Sequence, residues 1–243
     1  MSGRHDSETP WSADTFRDAL YALEPSYWAR HPFHERLHSG RLDKHELQLW
    51  VANRWYYQRC LPQKDAAIIA NCPLPQVRRQ WLSRIVYHDG TEDRAGGAEK
   101  WLRLAEAVGL ARAEVVTERH VLPGVRFAVD AYVDFARRRP WLDAAASGLT
   151  ELFSPGLLAY RLGRMREHYP WIAEDGFAYF TARIDVVAAE GRSLLDLVVE
   201  HAVTRAQQQA CVAALAFKCE VLHGVLDAID YHSAARGPTD APR

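Results

Sequence analysis

The sequence predicts an all-α fold, and three observations carry that prediction. Apolar residues return at helical spacing along almost the whole chain. No window alternates polar and apolar residues between hairpin turns. Prolines at 123, 140, 155 and 170 fall between the periodic stretches and punctuate them as helix breaks.

The first strong helix opens where Asp43 and Glu46 form a capping-box pattern ahead of LQLWVANRWYYQ, and it continues through residues 51–73, VANRWYYQRCLPQKDAAIIANCP. Pro75 suits the first turn of the next helix, QVRRQWLSRIVYHDG, which stops at Asp89 and Gly90. Further helices are predicted over 97–108, 124–138, 141–153, 157–168, 177–199 and 204–229. Nothing repeats internally. The ends, before about Trp11 and after about Ala234, read as frayed. With no Gly/Ser/Pro-rich linker in the middle, residues 1–243 are predicted to form a single helical domain.

Composition narrows the function. The formal net charge of -1 and pI near 6.8 supply no basic field for nucleic acid or anionic lipid. The opening MSGRHDSETPWS has no apolar run, and no stretch approaches the roughly 18 apolar residues that a membrane span needs. A soluble cytoplasmic protein is predicted. Cys60, Cys72, Cys211 and Cys219 form no CxxC pair and lie in apolar helical contexts, as small buried thiols do in a reducing compartment.

The polar residues of residues 51–73 raise the functional question. At about 100° per residue, Arg54, Tyr57, Gln58, Lys64 and Asp65 share one helix sector with Trp50, Leu61 and Ile68. A solvated helix face does not mix residues in that way. Lys218 is similarly placed, in the core stripe of the last helix with Leu215, Cys219, Leu222 and Val225, so its ammonium must meet a carboxylate or an anionic ligand, be neutralised, or reach water. Arg84 and His88 stack one turn apart near Trp81. His88 reads either as a cap that the helix dipole keeps charged or as a general base beside an anion-binding arginine. Tyr179 and Arg183 make a second pair at that spacing, and Tyr132 and Glu151 add polar groups to largely apolar faces. Each alone reads as a satisfied core residue; so many together imply a polar cavity.

Other chemistries fit less well. Glu35 and His38 give a single ExxH, where a di-iron bundle wants two with further carboxylates. The run His31, His34, His38, His45 straddles Pro32 and Gly40 without single-helix spacing, so no metal site is predicted. GxGxxG, a P-loop and GxSxG are all absent.

Four blocks carry a family resemblance: VANRWYYQ with PQKDAAIIANCP; HDG followed by GG and KWLRLAEAVGL; VLPGVRFAVDAYVDFARR; and LTELFSP with HYPW. Over about 27–230 the chain resembles the pyrroloquinoline-quinone synthase family. That resemblance implies a compact haem-oxygenase-like helical bundle, a homodimer, and an oxidase needing neither metal nor organic cofactor, with dioxygen as co-substrate. The implied reaction closes a ring on a bicyclic tricarboxylic precursor and completes an eight-electron oxidation, releasing hydrogen peroxide and the product pyrroloquinoline quinone. It also implies roles. Arg54, Gln58, Lys64, Arg84, Arg161 and Lys218 match residues that hold carboxylates and quinone oxygens, and Tyr132 and Glu151 match pocket residues. His88 matches the proton-transfer histidine, and Tyr179 with Arg183 the oxygen and peroxide site. A flat polycarboxylate would account for the mixed face of residues 51–73.

The chain departs from the family pattern at Trp28 and Leu158, where pocket histidines are expected, and in Arg59, Cys60 and Leu61 ahead of Pro62. A second reading follows: a diverged protein that binds the quinone or its precursor with impaired turnover. A thiaminase-type hydrolase or di-iron oxidase of the same fold would need a placed nucleophilic cysteine or more metal ligands.

Overall fold

A computed structural model of the protein describes residues 9–235. Most of the predicted frayed ends lie outside that range, but Trp11 is held, its backbone exchanging hydrogen bonds with the Gln208 amide at 2.8 and 3.1 Å. The helices in chain order are α1 (Ala13–Tyr21), α2 (Pro32–His38), α3 (Lys44–Asn71), α4 (Pro75–Asp89), α5 (Gly97–Ala107), α6 (Arg112–Val116), α7 (Pro123–Arg138), α8 (Trp141–Ala146), α9 (Ser154–His168), α10 (Ala178–His201) and α11 (Arg205–Ala235). A two-residue hairpin, β1 (Gly90–Thr91) with β2 (Arg94–Ala95), links α4 to α5.

Helix α3 is the central strut. Its capping box forms as its sequence predicts: Glu46 N–H donates to the Asp43 side chain at 2.8 Å and the Asp43 N–H to Glu46 at 2.9 Å. It runs 28 residues, with Pro62 inside, against α4, α5 and α7; α11 packs on α7 and α8, and α10 on α9. The apolar interior forms two clusters, one about Trp50, Trp101, Val129 and Leu226, the other about Phe16, Leu149, Leu194 and Leu215. All four cysteines are buried and free, and burial pushes the Cys211 thiol up to about 12.

Two differences from the predicted elements bear on the site. The helix expected over 141–153 gives way after Ala146 to a 3₁₀ segment, Ser147–Phe153. There the Ser147 hydroxyl donates back to the Ala144 carbonyl at 2.6 Å, a side-chain bond that competes with the regular ladder. The segment also presses on α10 so closely that a Cβ on Gly191 would lie 3.1 Å from the Glu151 carbonyl carbon. The hairpin, absent from the predicted elements, starts where Gly90 adopts φ +85°, and a Cβ on Gly96 would meet the His88 carbonyl oxygen at 2.3 Å. Close backbone approach at these glycines fixes Glu151 and His88 in place. Helices α1, α2 and α6 were also not among the predicted elements.

Candidate active site

Helices α3, α4, α7, α9, α10 and α11 and the 3₁₀ segment surround one cavity that, with its mouth, encloses about 830 Å³ of empty space. Ten of the eleven residues singled out in the sequence line it: Arg54 and Lys64 from α3, Arg84 and His88 from α4, Tyr132 from α7, Glu151 from the 3₁₀ segment, Arg161 from α9, Tyr179 and Arg183 from α10, and Lys218 from α11. Gln58 stands one layer back and donates to the Tyr179 hydroxyl at 2.9 Å. The mixed sector of α3 faces this cavity, with Tyr57, Leu61 and Asp65 lining it beside Arg54 and Lys64.

The charges divide into a paired side and an unpaired side. On the paired side Glu151 accepts a bidentate pair from Arg84 at 2.7 and 2.8 Å and a third bond from Arg183 at 3.1 Å; Arg183 also pairs with Glu190. Burial works against the Glu151 carboxylate, yet the two guanidiniums outweigh it and hold its pKa below the usual range. Lys64 pairs with Asp65, which also accepts from the Trp81 indole at 2.7 Å.

On the other side, Arg54, Arg161 and Lys218 form no ion pair with a carboxylate among the described residues. Arg54 stacks over Tyr57 at 3.8 Å and Trp28 at 4.7 Å, with one guanidinium nitrogen buried and unpartnered. Arg161, 4% exposed, donates to imidazoles, His38 Nε2 at 3.3 Å and His34 Nε2 at 3.1 Å, and lies over the Trp50 ring at 5.8 Å; burial lowers its pKa to about 10. Lys218, 1% exposed, donates to the Tyr57 hydroxyl at 2.7 Å and lies 3.4 Å from the Tyr132 ring centre. Burial, then the like charges of Arg54 and Lys64, push its pKa well below the usual lysine value. Six cationic side chains line the cavity against two carboxylates, Asp65 and Glu151. Several orphaned polar atoms belong to the same region: Gln58 Oε1, His88 Nδ1, Trp28 Nε1 and Arg54 Nη1 are buried without a hydrogen-bond partner.

The likeness to known proteins is close. The profile of the TENA/THI-4/PQQC family matches residues 18–228. The chain belongs to that family. Among its relatives, a pyrroloquinoline-quinone synthase from Cronobacter sakazakii is 49% identical over 216 residues, 89% of this chain and 86% of that protein. Another so named from Pseudomonas aeruginosa is 49% identical over 230 residues, covering 91% and 92%. The fold recurs in solved structures of low identity. A domain of unknown function with a haem-oxygenase-like fold from Shewanella denitrificans superposes with TM-score 0.74 at 14% identity, over 96% of this chain and 99% of that one. A TenA homologue from Pseudomonas syringae gives 0.73 at 11%, over 95% and 98%.

As a TENA/THI-4/PQQC family member the chain keeps an apolar face where histidines were expected. Trp28 and Leu158 both line the cavity, and the Trp28 indole stands edge-on to His34 at 4.9 Å. His88 is not a charged cap: it is 6% exposed, burial lowers its pKa to about 3, and desolvation outweighs the helix dipole. The histidine run is split between helices as its sequence predicts, His45 lying on α3, while His34 and His38 lie one turn apart on α2. Glu35 on the same helix is exposed, so the ExxH residues do not face one site. Among the described residues no group of three His, Cys, Asp or Glu side chains is placed to hold a metal. The contacts of His34 and His38 with Arg161 escaped the sequence reading; their one-turn spacing was the available signal.

Proposed function

We propose that this chain catalyses the final step of pyrroloquinoline quinone biosynthesis, closing the ring of a bicyclic tricarboxylic precursor and oxidising it with dioxygen to pyrroloquinoline quinone and hydrogen peroxide. The observation that carries this reading is the set of three cations without carboxylate partners, Arg54, Arg161 and Lys218, in an aromatic-walled cavity. A flat ligand with several carboxylates supplies the missing counter-charges, and charge-assisted bonds would fix its orientation. The relatives named pyrroloquinoline-quinone synthase support the same assignment.

Within this reading each residue has a task. His88 is neutral in the empty site with Nδ1 unpartnered, which suits a general base. Tyr179 accepts its bond from Gln58, so its own hydroxyl hydrogen is free to donate to developing charge on oxygen. Arg84 and Arg183 have already met Glu151, so they act chiefly by holding that wall and through their remaining donors. Tyr57, Tyr132 and Trp101 close round the ring system and exclude water. A reduced quinol anion can itself deliver electrons to dioxygen, so we assign no metal and no organic cofactor, and we take the working form to be a cytoplasmic homodimer that acts on a small molecule and on neither nucleic acid nor membrane. Among the described residues no helix is long and apolar enough to cross a membrane.

The test is incubation with the precursor in air and under anaerobic conditions, followed by absorbance and a peroxide assay. Oxygen-dependent product with peroxide supports the assignment; no uptake of precursor overturns it. Trp28 and Leu158 favour one alternative, a binding protein of impaired turnover, for which the same incubation returns bound ligand and little peroxide.

A further inference from the structure

Arg161 is held in an unusual way for a buried guanidinium. Its two protein partners are imidazoles on α2, reached through Nε at 3.3 Å and Nη2 at 3.1 Å. Arg161 Nη2 sits over the His34 ring, 3.1 Å from Nε2 and 3.3 Å from Nδ1; the Trp28 carbonyl lies 2.9 Å from Nδ1, so Nδ1 carries the hydrogen and the unprotonated Nε2 is the accepting atom of a neutral ring. His38 likewise accepts through Nε2, and the two rings stack 5.7 Å apart at 26°. Both imidazoles are kept neutral, first by burial and then by Arg161 itself, His38 down to about 4. The arrangement uses one edge of the guanidinium and leaves Nη1 and the remaining Nη2 hydrogen, the edge that suits a bidentate carboxylate.

We propose that His34 and His38 are positioning residues for ligand binding: as neutral acceptors they fix the orientation of Arg161 without cancelling its charge, and so preserve the whole cation for a ligand carboxylate. A carboxylate in their place would hold the guanidinium as firmly and neutralise it, as Glu151 does for Arg84 on the opposite side of the cavity. The inference rests on the reading of the cavity as a polycarboxylate quinone site. It adds a division of labour: one arginine paired with a carboxylate to build a wall, another left unpaired to bind.

The experiment measures pyrroloquinoline quinone affinity of the full chain by fluorescence titration, with a melt of each empty variant. His34→Gln, which keeps a neutral acceptor, is expected to bind within about threefold of the natural chain, and His34→Leu about tenfold or more weaker. Combined with Arg161→Met, His34→Leu is expected to cause no further loss, because the effect acts through Arg161. His38→Glu guards against His34 variants that fail to fold, and separates positioning from a merely structural role. It should leave the empty protein melting no lower while weakening binding about tenfold, since it gives Arg161 a carboxylate partner that competes with the ligand. Equal losses in His34→Gln and His34→Leu, the same loss from His34→Leu with or without Arg161, or unchanged affinity in His38→Glu would each overturn the proposal. If the natural chain itself does not bind pyrroloquinoline quinone, it is the reading of the cavity that falls.

Discussion

The Nζ of Lys218 donates to the Tyr57 hydroxyl at 2.7 Å, and the two tyrosine rings against it, Tyr57 and Tyr132, are parallel within 4°. The nearest support for this buried ammonium is therefore phenolic and aromatic. Of the alternatives open to a lysine in a core stripe, the internal ion pair is absent among the described residues, and the depressed pKa marks an ammonium whose charge is poorly compensated in the empty site.

Lys218→Met is accordingly expected to keep or raise the melting temperature of the empty protein, because a poorly compensated charge disappears. The same change should weaken pyrroloquinoline quinone binding by about 2 to 5 kcal/mol, with a ligand anion left unpaired. Melts with and without ligand check both halves; a sharply lower melt of the empty variant would refute the assignment.

Glu151 predicts the opposite pattern. Glu151→Ala strands Arg84 on a buried wall and leaves Arg183 with Glu190 alone, and should cost about 3 to 5 kcal/mol of stability, read by urea unfolding. Unchanged stability would show that the two arginines find other partners.

His88→Ala should stop oxidation after binding, with affinity within about tenfold, or about 1.4 kcal/mol. Single-turnover absorbance with the precursor checks this. Unimpaired oxidation would move proton transfer to Tyr179 or to water.

The pH dependence of the empty protein follows from three buried imidazoles. His34, His38 and His88 resist protonation when folded, to about 4 for His38 and about 3 for His88, whereas unfolded imidazoles take protons near 6.5. Between those limits the unfolded chain binds more protons. Stability should therefore be fully present above about pH 6.5 and fall as pH drops towards 4 and below, by up to about 1.4 kcal/mol per pH unit for each group. Melts from pH 8 to pH 4 measure the slope; a flat profile would mean that these rings already bind protons in the folded state.

Much of this site is legible in the sequence because it is written locally. The capping box at Asp43, the glycine stop after Asp89 and the mixed sector of α3 all depend on neighbours within a turn or two, where helix geometry alone fixes who shares a face. The pairing of charges is not local. Arg84 and Glu151 are 67 residues apart and Arg183 and Glu151 32, so only the fold reveals that two cations of the pocket are already matched. The protonation of His88 was hidden for a related reason: the helix dipole can be read from its place in the last turn, but the burial that overrules it comes from packing beyond its own helix, with Gly97 of α5 close against Nδ1. The break at Ser147 escaped because the apolar pattern of residues 141–153 continues through it while the backbone tightens against Gly191.

The imbalance of six cations against two carboxylates has a consequence for the life of the protein in a cell. An empty copy carries like charges in a closed space, whereas a loaded copy has them neutralised, so ligand adds stability in proportion to its free concentration over its dissociation constant. Copies made without ligand open more often and meet proteases first. Abundance would then follow supply, through the electrostatics of the cavity, to the extent that ligand raises stability.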